Sequence, residues 1–85
     1  MNLSIRANLS TQEIDGELVI LDKDKGQIHQ LNQVASIIWQ QIEKGLNKAE
    51  IQQHLIKTFE IDTETANKDL EKTVQQFKDL QLLDL

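Results

Sequence analysis

The sequence contains no cysteine. Disulfides, thiolate metal sites and a cysteine nucleophile are excluded, and a reducing compartment suits such a chain. No proline, low-complexity block or internal repeat interrupts it. It has no apolar run of about eighteen residues, the length a membrane span needs. Its first residues, MNLSIRANLS, lack the apolar stretch of a signal peptide. A cytoplasmic protein that does not enter membranes is expected. Arginine occurs once, at Arg6, and nine basic residues are scattered among fourteen acidic ones, for a formal net charge of −5. Nucleic-acid binding draws most of its affinity from basic side chains that neutralise phosphates, so DNA and RNA are disfavoured partners. The only histidines, His29 and His54, fall on different predicted elements. A metal site needs several ligands, so no metal and no cofactor is expected. No nucleophile–base pair or phosphate loop can be assembled either. No catalytic residue is assigned, and the chain is not expected to be an enzyme.

Eighty-five residues, 1–85, make one expected domain. A chain of this size buries about 60–65% of the surface it exposes when unfolded. That leaves room for one core and little for a deep catalytic cavity. The three glycines punctuate it. Asp15-Gly16 is a two-residue hairpin signal, because a type I′ turn needs positive φ at both positions. It separates two expected strands, Leu9–Ile14 and Glu17–Asp22. The second is nearly all apolar (Leu18, Val19, Ile20, Leu21), as a central strand partly covered on both faces would be. The polar loop Asp22–Gly26 suits a second hairpin, and Gln27–Leu31 is the third strand. It ends the meander and is an edge unless the first segment wraps beside it.

From Asn32 the period becomes helical. Asn32 sits where an N-cap would be, with Leu31 before it placed to staple onto the first turn. Val34, Ile37, Ile38 and Ile42 form the expected inner stripe of the first helix, with Ala35 and Trp39 beside it. Gly45 follows its end. Asn47 with Glu50 resembles a capping box. The second helix turns Ile51, Leu55, Ile56 and Phe59 inward. Asp62 or Thr63 caps a third helix, roughly Glu64–Leu80, with Ala66, Leu70, Val74 and Phe77 inward. Leu82, Leu83 and Leu85 form an apolar tail expected to pack back onto the core. The order β-β-β-α-α-α gives an α+β domain with helices against one face of a small sheet.

An ordered set of short motifs spans about Ile5 to Leu83. It comprises GELVILD, G-x-I-H-x-L-N from Gly26, A-x-x-I-W from Ala35, Gly45, Glu50-Ile51, F-x-I-D from Phe59, Asp69-Leu70 and a closing L-x-L-L. This set resembles the PqqD-like proteins, also called RiPP recognition elements. The resemblance implies a small winged-helix-like domain, a three-stranded antiparallel sheet followed by three helices. It also implies a non-catalytic role: binding the leader segment of a ribosomally made precursor peptide and presenting it to a maturation enzyme. That enzyme would be a radical-SAM enzyme, a leader peptidase or a cyclase. In the family the leader adds as a strand to the third strand, in a groove completed by the third helix. Carried over by position, the site is Gln27, Ile28, His29, Gln30 and Leu31, facing Lys68, Asp69, Lys72 and Gln76. The sequence departs from the family pattern at Gln81, where a small residue or glycine is usual, and at Thr73, where a large apolar one is. Phe77, one turn on, is placed to compensate.

Physical chemistry supports the same mode. An edge strand carries unpaired amides and carbonyls. A guest strand satisfies them while its alternate side chains give specificity. The same open edge also permits a homodimer.

Each candidate residue has a plainer reading too. His29 reads as a surface strand residue. Trp39 reads as core. Asp22, Asp24, Asp62 and Glu64 read as loop or cap residues, since Asp22–Gly26 lacks EF-hand spacing. Asp69 reads as a surface or helix-interior contact. Lys68 and Lys72 read as a solvated stripe within reach of Glu64 and Glu71. Two other functions stay open. A winged-helix DNA-binding regulator would want a basic recognition helix, yet NKAEIQQHLIKTF holds two lysines and no arginine. A protein-binding accessory subunit would use the helical face.

Overall fold

The structure is a computed structural model and describes residues 3–84. In chain order its elements are β1 (Ser4–Ile5), β2 (Leu9–Ile14), β3 (Glu17–Asp22), β4 (Gln27–Gln30), α1 (Gln33–Glu43), α2 (Lys48–Phe59), α3 (Thr63–Asp79) and β5 (Leu83–Asp84). β2, β3 and β4 form the expected three-stranded antiparallel sheet, with β3 in the centre. Three helices follow, and the fold is α+β and winged-helix-like. Asp15 (φ 53°) and Gly16 (φ 83°) both lie at positive φ, which the tight β2–β3 turn requires.

The first segment does not flank β4. Instead β1 pairs antiparallel with β5, Ser4 opposite Asp84 and Ile5 opposite Leu83. Leu82 and Leu83 are buried by this closure; Leu85 lies outside the described residues. No helix is long and apolar enough to cross a membrane, among the described residues.

The helices cover one face of the sheet only. Leu18, Ile20 and Asp22 of β3 are buried on that face, while Val19 is half-buried and Leu21 exposed on the other. The expectation that β3 is covered on both faces is therefore corrected. Its apolar run reflects a buried inner row and a bare outer row.

α1 touches β1, β3, α2 and α3, and so sits at the centre of the packing. Its buried residues are Ala35, Ser36, Ile38, Trp39, Gln41 and Ile42, while Val34 and Ile37 are only half-buried. The inner stripe is thus rotated from the one expected, because α1 must face both sheet and helices. Trp39 is core: its ring meets Phe77 edge-on at 5.1 Å and 85°. In α2, Ile51 and Leu55 are fully buried and Ile56 and Phe59 half-buried. In α3, Ala66, Leu70, Val74 and Phe77 are buried as expected.

The strand-to-helix passage is fastened without a loop. The Ala35 amide donates to Asn32 Oδ1 at 2.8 Å, the N-cap bond. The Leu31 amide donates to the Leu18 carbonyl at 2.8 Å, the last bond of the β3–β4 ladder. The return bond is replaced by a side chain. The Leu18 amide donates to the buried Ser36 hydroxyl at 2.8 Å, and that hydroxyl donates to the Leu31 carbonyl at 3.3 Å. Ser36 thus completes the ladder where the chain leaves the sheet. The other helices start on side-chain caps as well: Asn47 and Glu50 form a reciprocal capping box, and Asp62 accepts from the Thr65 amide at 2.7 Å. The Thr65 hydrogen bonds hold the Asp62 carboxyl below the ordinary carboxylate range.

Arg6 ties three segments together. Its guanidinium contacts Asp22 at 2.5 Å and Asp24 at 2.8 Å, and donates to the Gln81 carbonyl at 2.7 Å. Burial pushes the Asp22 carboxyl up, but Arg6 and the amides of Lys25 and Asp24 outweigh it, and its pKa lies below the ordinary value. The loop reading of Asp22 is corrected: it is a buried strand-end acid with a dedicated partner.

Candidate functional site

Among the described residues, β4 pairs on one side only. Its register is Asp22–Gln27, Leu21–Ile28, Ile20–His29 and Val19–Gln30. The Leu31-to-Leu18 bond fixes which amides point where, because bonded positions alternate in an antiparallel ladder. Gln27, His29 and Leu31 direct their backbone groups to β3. Ile28 and Gln30 direct theirs outward, where no strand lies among the described residues. The free edge is short and carries no charged side chain.

The side chains alternate between faces. Cross-strand partners share a face, so His29 lies on the core side with Ile20, and Ile28 on the outer side with Leu21. His29 is half-buried, and its Nε2 has no hydrogen-bond partner among the described residues. The surface reading of His29 is therefore corrected: register with a fully buried isoleucine turns the ring inward. Leu31 is buried and Gln30 exposed, the latter donating to Glu17 Oε1 at 3.4 Å.

Across from this edge stands α3. No Cα of α3 comes within 8 Å of a Cα in β4. The two are bridged by the strand–helix junction. There Asn32 and Val34 share a depression of about 180 Å³ with Asp69, Lys72, Thr73 and Gln76. A second depression, about 270 Å³, is lined by Glu17, Gln30, Leu31 and Asn32. The structure thus brings Asp69, Lys72 and Gln76 to one wall and Gln30 and Leu31 to the adjoining edge, with Asn32 common to both hollows. Lys68 is not on that wall; it is exposed and pairs with Glu64 at 3.2 Å.

Asn32, Val34 and Thr73 were missed as lining residues. Asn32 had a visible signal, since the residue that stops the strand must stand at the end of its edge. Thr73 is buried where a large apolar side chain is usual in the family. Phe77 does not compensate, because it is fully buried against Trp39 and lines neither hollow. Gln81 has φ 60°, the left-handed region that favours the glycine usual there. Among the described residues no cluster of histidine and acidic side chains could hold a metal ion.

A winged-helix-like α+β domain with an uncharged sheet edge left open beside a helix defines a class of fold suited to strand addition. Within that class the chain belongs to the PqqD family: residues 17–83 match the family model described as coenzyme PQQ synthesis protein D (PqqD). Two solved structures are similar over nearly the whole chain. One is TbiB1 in complex with the TbiA(beta) leader peptide, with 27% identity, coverage of 95% of this chain and 94% of that one, and a TM-score of 0.90. The other is lasso peptide synthetase B1 complexed with the leader peptide, with 26% identity, full coverage of both chains and a TM-score of 0.91. No curated protein sequence matches the chain.

Proposed function

We propose that this chain is a RiPP recognition element. It binds the leader segment of a ribosomally synthesised precursor peptide as a strand added to the free edge of β4, and presents it to a maturation enzyme. The observation that carries this reading is the outward backbone of Ile28 and Gln30, unpaired among the described residues, next to a wall bearing Asp69, Lys72 and Gln76. The two full-length structural neighbours, each complexed with a leader peptide, support it. The enzyme is of the radical-SAM, leader-peptidase or cyclase kind, and the catalysis is its own. The edge is preorganised, since β4 is held by β3 on one side and runs directly into α1. That lowers the ordering cost of a guest strand.

Proline at the edge provides the test, because it deletes one amide donor and fixes φ. Peptides selected from a randomised library, titrated calorimetrically, serve as probes. Gln30→Pro removes an outward amide and is expected to stay folded by circular dichroism while losing peptide binding. His29→Pro removes an inward ladder amide and is expected to unfold much of the sheet. Duplex DNA at about 150 mM salt is expected to show none of the binding typical of non-specific DNA proteins, with Kd about 10⁻⁴–10⁻⁶ M. If both proline variants fold and bind peptide normally, the guest does not use β4.

A further inference from the structure

All the exposed large hydrophobic side chains among the described residues lie on the outer face of the sheet: Ile14 at 51%, Leu21 at 39% and Ile28 at 70% exposure. Cross-strand partners share a face, so this surface is built of rows. One row runs Ser10, Leu21, Ile28 and ends at the free edge of β4. The next runs Gln12, Val19, Gln30. Exposure rises along the first row toward the edge, and a hollow of about 330 Å³ opens over it, lined by Ser10, Thr11, Gln12, Val19, Leu21 and Ile28. Of the β2, β3 and β4 side chains on this outer face, Glu17 alone is charged, and Gln30 hydrogen-bonds it.

Natural edges are commonly blunted by lysine, proline or a bulge. β4 has none of these, and its outermost apolar side chain is the most exposed one on the molecule's described surface. A guest strand on this edge places every second side chain on the outer face. One of them falls at the end of the row, with its Cβ about 4.5–5.5 Å from that of Ile28. The alternate side chains turn the other way, toward Asn32, Asp69, Lys72 and Gln76.

We infer that Ile28 is a specificity-determining residue: the Ser10–Leu21–Ile28 row selects an apolar side chain at the guest position beside Ile28, while guest side chains of the opposite parity meet the polar α3 wall. The leader is read on both faces of the sheet. This inference rests on the strand-addition reading. A second copy of the chain fits the face less well. Three strands about 20 Å long and about 4.8 Å apart present roughly 300 Å², against about 800 Å² per partner in a stable interface.

The test uses peptides selected from a randomised library on the wild-type protein and retained only if Gln30→Pro abolishes their binding. Ile28→Glu, a change at an exposed position, is expected to keep the circular dichroism spectrum and weaken these peptides about fivefold. Replacing the peptide's apolar residue beside Ile28 by lysine should restore affinity for Ile28→Glu and reduce it for wild type. Fresh selection on Ile28→Glu should enrich lysine or arginine at that position. Unchanged affinities and an unchanged consensus on Ile28→Glu would overturn the inference while leaving strand addition intact. A wild-type dimer dissolved by Ile28→Glu would overturn it by assigning the row to a second copy. If no selected peptide is sensitive to Gln30→Pro, strand addition falls and this inference with it.

Discussion

β2 and β4 are both edges of one sheet, and among the described residues both pair with β3 alone. They differ in what lies around them. β2 ends in a tight turn, carries Glu13, and directs the amides of Leu9, Thr11 and Glu13 away from β3. β4 carries no charge, runs directly into α1, and ends where Asn32 joins the α3 wall. An open edge is only half of a strand-binding site. The other half is a neighbouring surface that can receive alternate guest side chains. Beside β4 the hollows at Gln30, Leu31 and Asn32 lead on to α3, whereas the hollow that includes Ser10, Thr11 and Gln12 of β2 is lined by strand residues.

Proline on each edge gives the largest expected contrast. Gln30→Pro should weaken peptide binding by roughly a hundredfold or more, whereas Thr11→Pro, which removes an outward amide on β2, should change it less than about twofold. The reverse pattern in calorimetry would move the site to β2. Next is Ser36→Ala. It leaves the Leu18 amide and the Leu31 carbonyl without their bridge, and should cost about 1–3 kcal/mol in urea unfolding. It should also loosen β4 more than β2, visible as faster exchange of the Leu31 amide than of amides in the β2–β3 ladder. Lys72→Glu on the exposed wall should weaken peptides bearing acidic side chains by about threefold or less, with no effect on the melting temperature. An equal loss for neutral peptides would mean that Lys72 shapes the wall rather than reads charge.

The smallest contrast concerns a feature common to both edges. Asp22 is cross-strand to Leu9 of β2 and to Gln27 of β4. Its folded pKa is depressed below its unfolded one, so its ionised form stabilises the fold at neutral pH, and that contribution disappears as pH falls through the folded value. The melting temperature of Asp22→Asn should lie below that of wild type at pH 7. The gap should persist to about pH 5 and close below the ordinary carboxylate range near about pH 4. A gap independent of pH would show that Asp22 acts by shape, not charge.

Much of this architecture was legible in the chain. Asp15-Gly16, Asn32, Asn47 and Asp62 mark their turns and caps by local chemistry, and local chemistry survives folding. β4 was legible as an edge but not in its facing. Its one aliphatic residue, Ile28, and Leu31 just beyond its end are three apart and fall on opposite faces, so alternation alone cannot say which side is inward. Only register with β3 decides it. The β1–β5 ladder is two residues long on each side, too short to leave a period. The Arg6–Asp22 pair had a faint trace. Asp22 has the same parity as Leu18 and Ile20, so a buried acid needing a cation could have been foreseen, and the chain has one arginine. The bare outer row had none, because an apolar central strand reads the same whether one face is covered or two.

The pairing of β1 with β5 joins residues from opposite ends of the described chain. Closing so long a loop costs about 2.5 kcal/mol more in chain entropy than closing a short hairpin. The β2–β3–β4 meander needs only short closures, so the ladder of the ends is the part whose formation waits for the rest and whose opening costs least. The β3–β4 ladder shares no residue with it. The edge proposed for the guest therefore belongs to the part of the fold closed by short loops, and its register does not wait for β1 to meet β5.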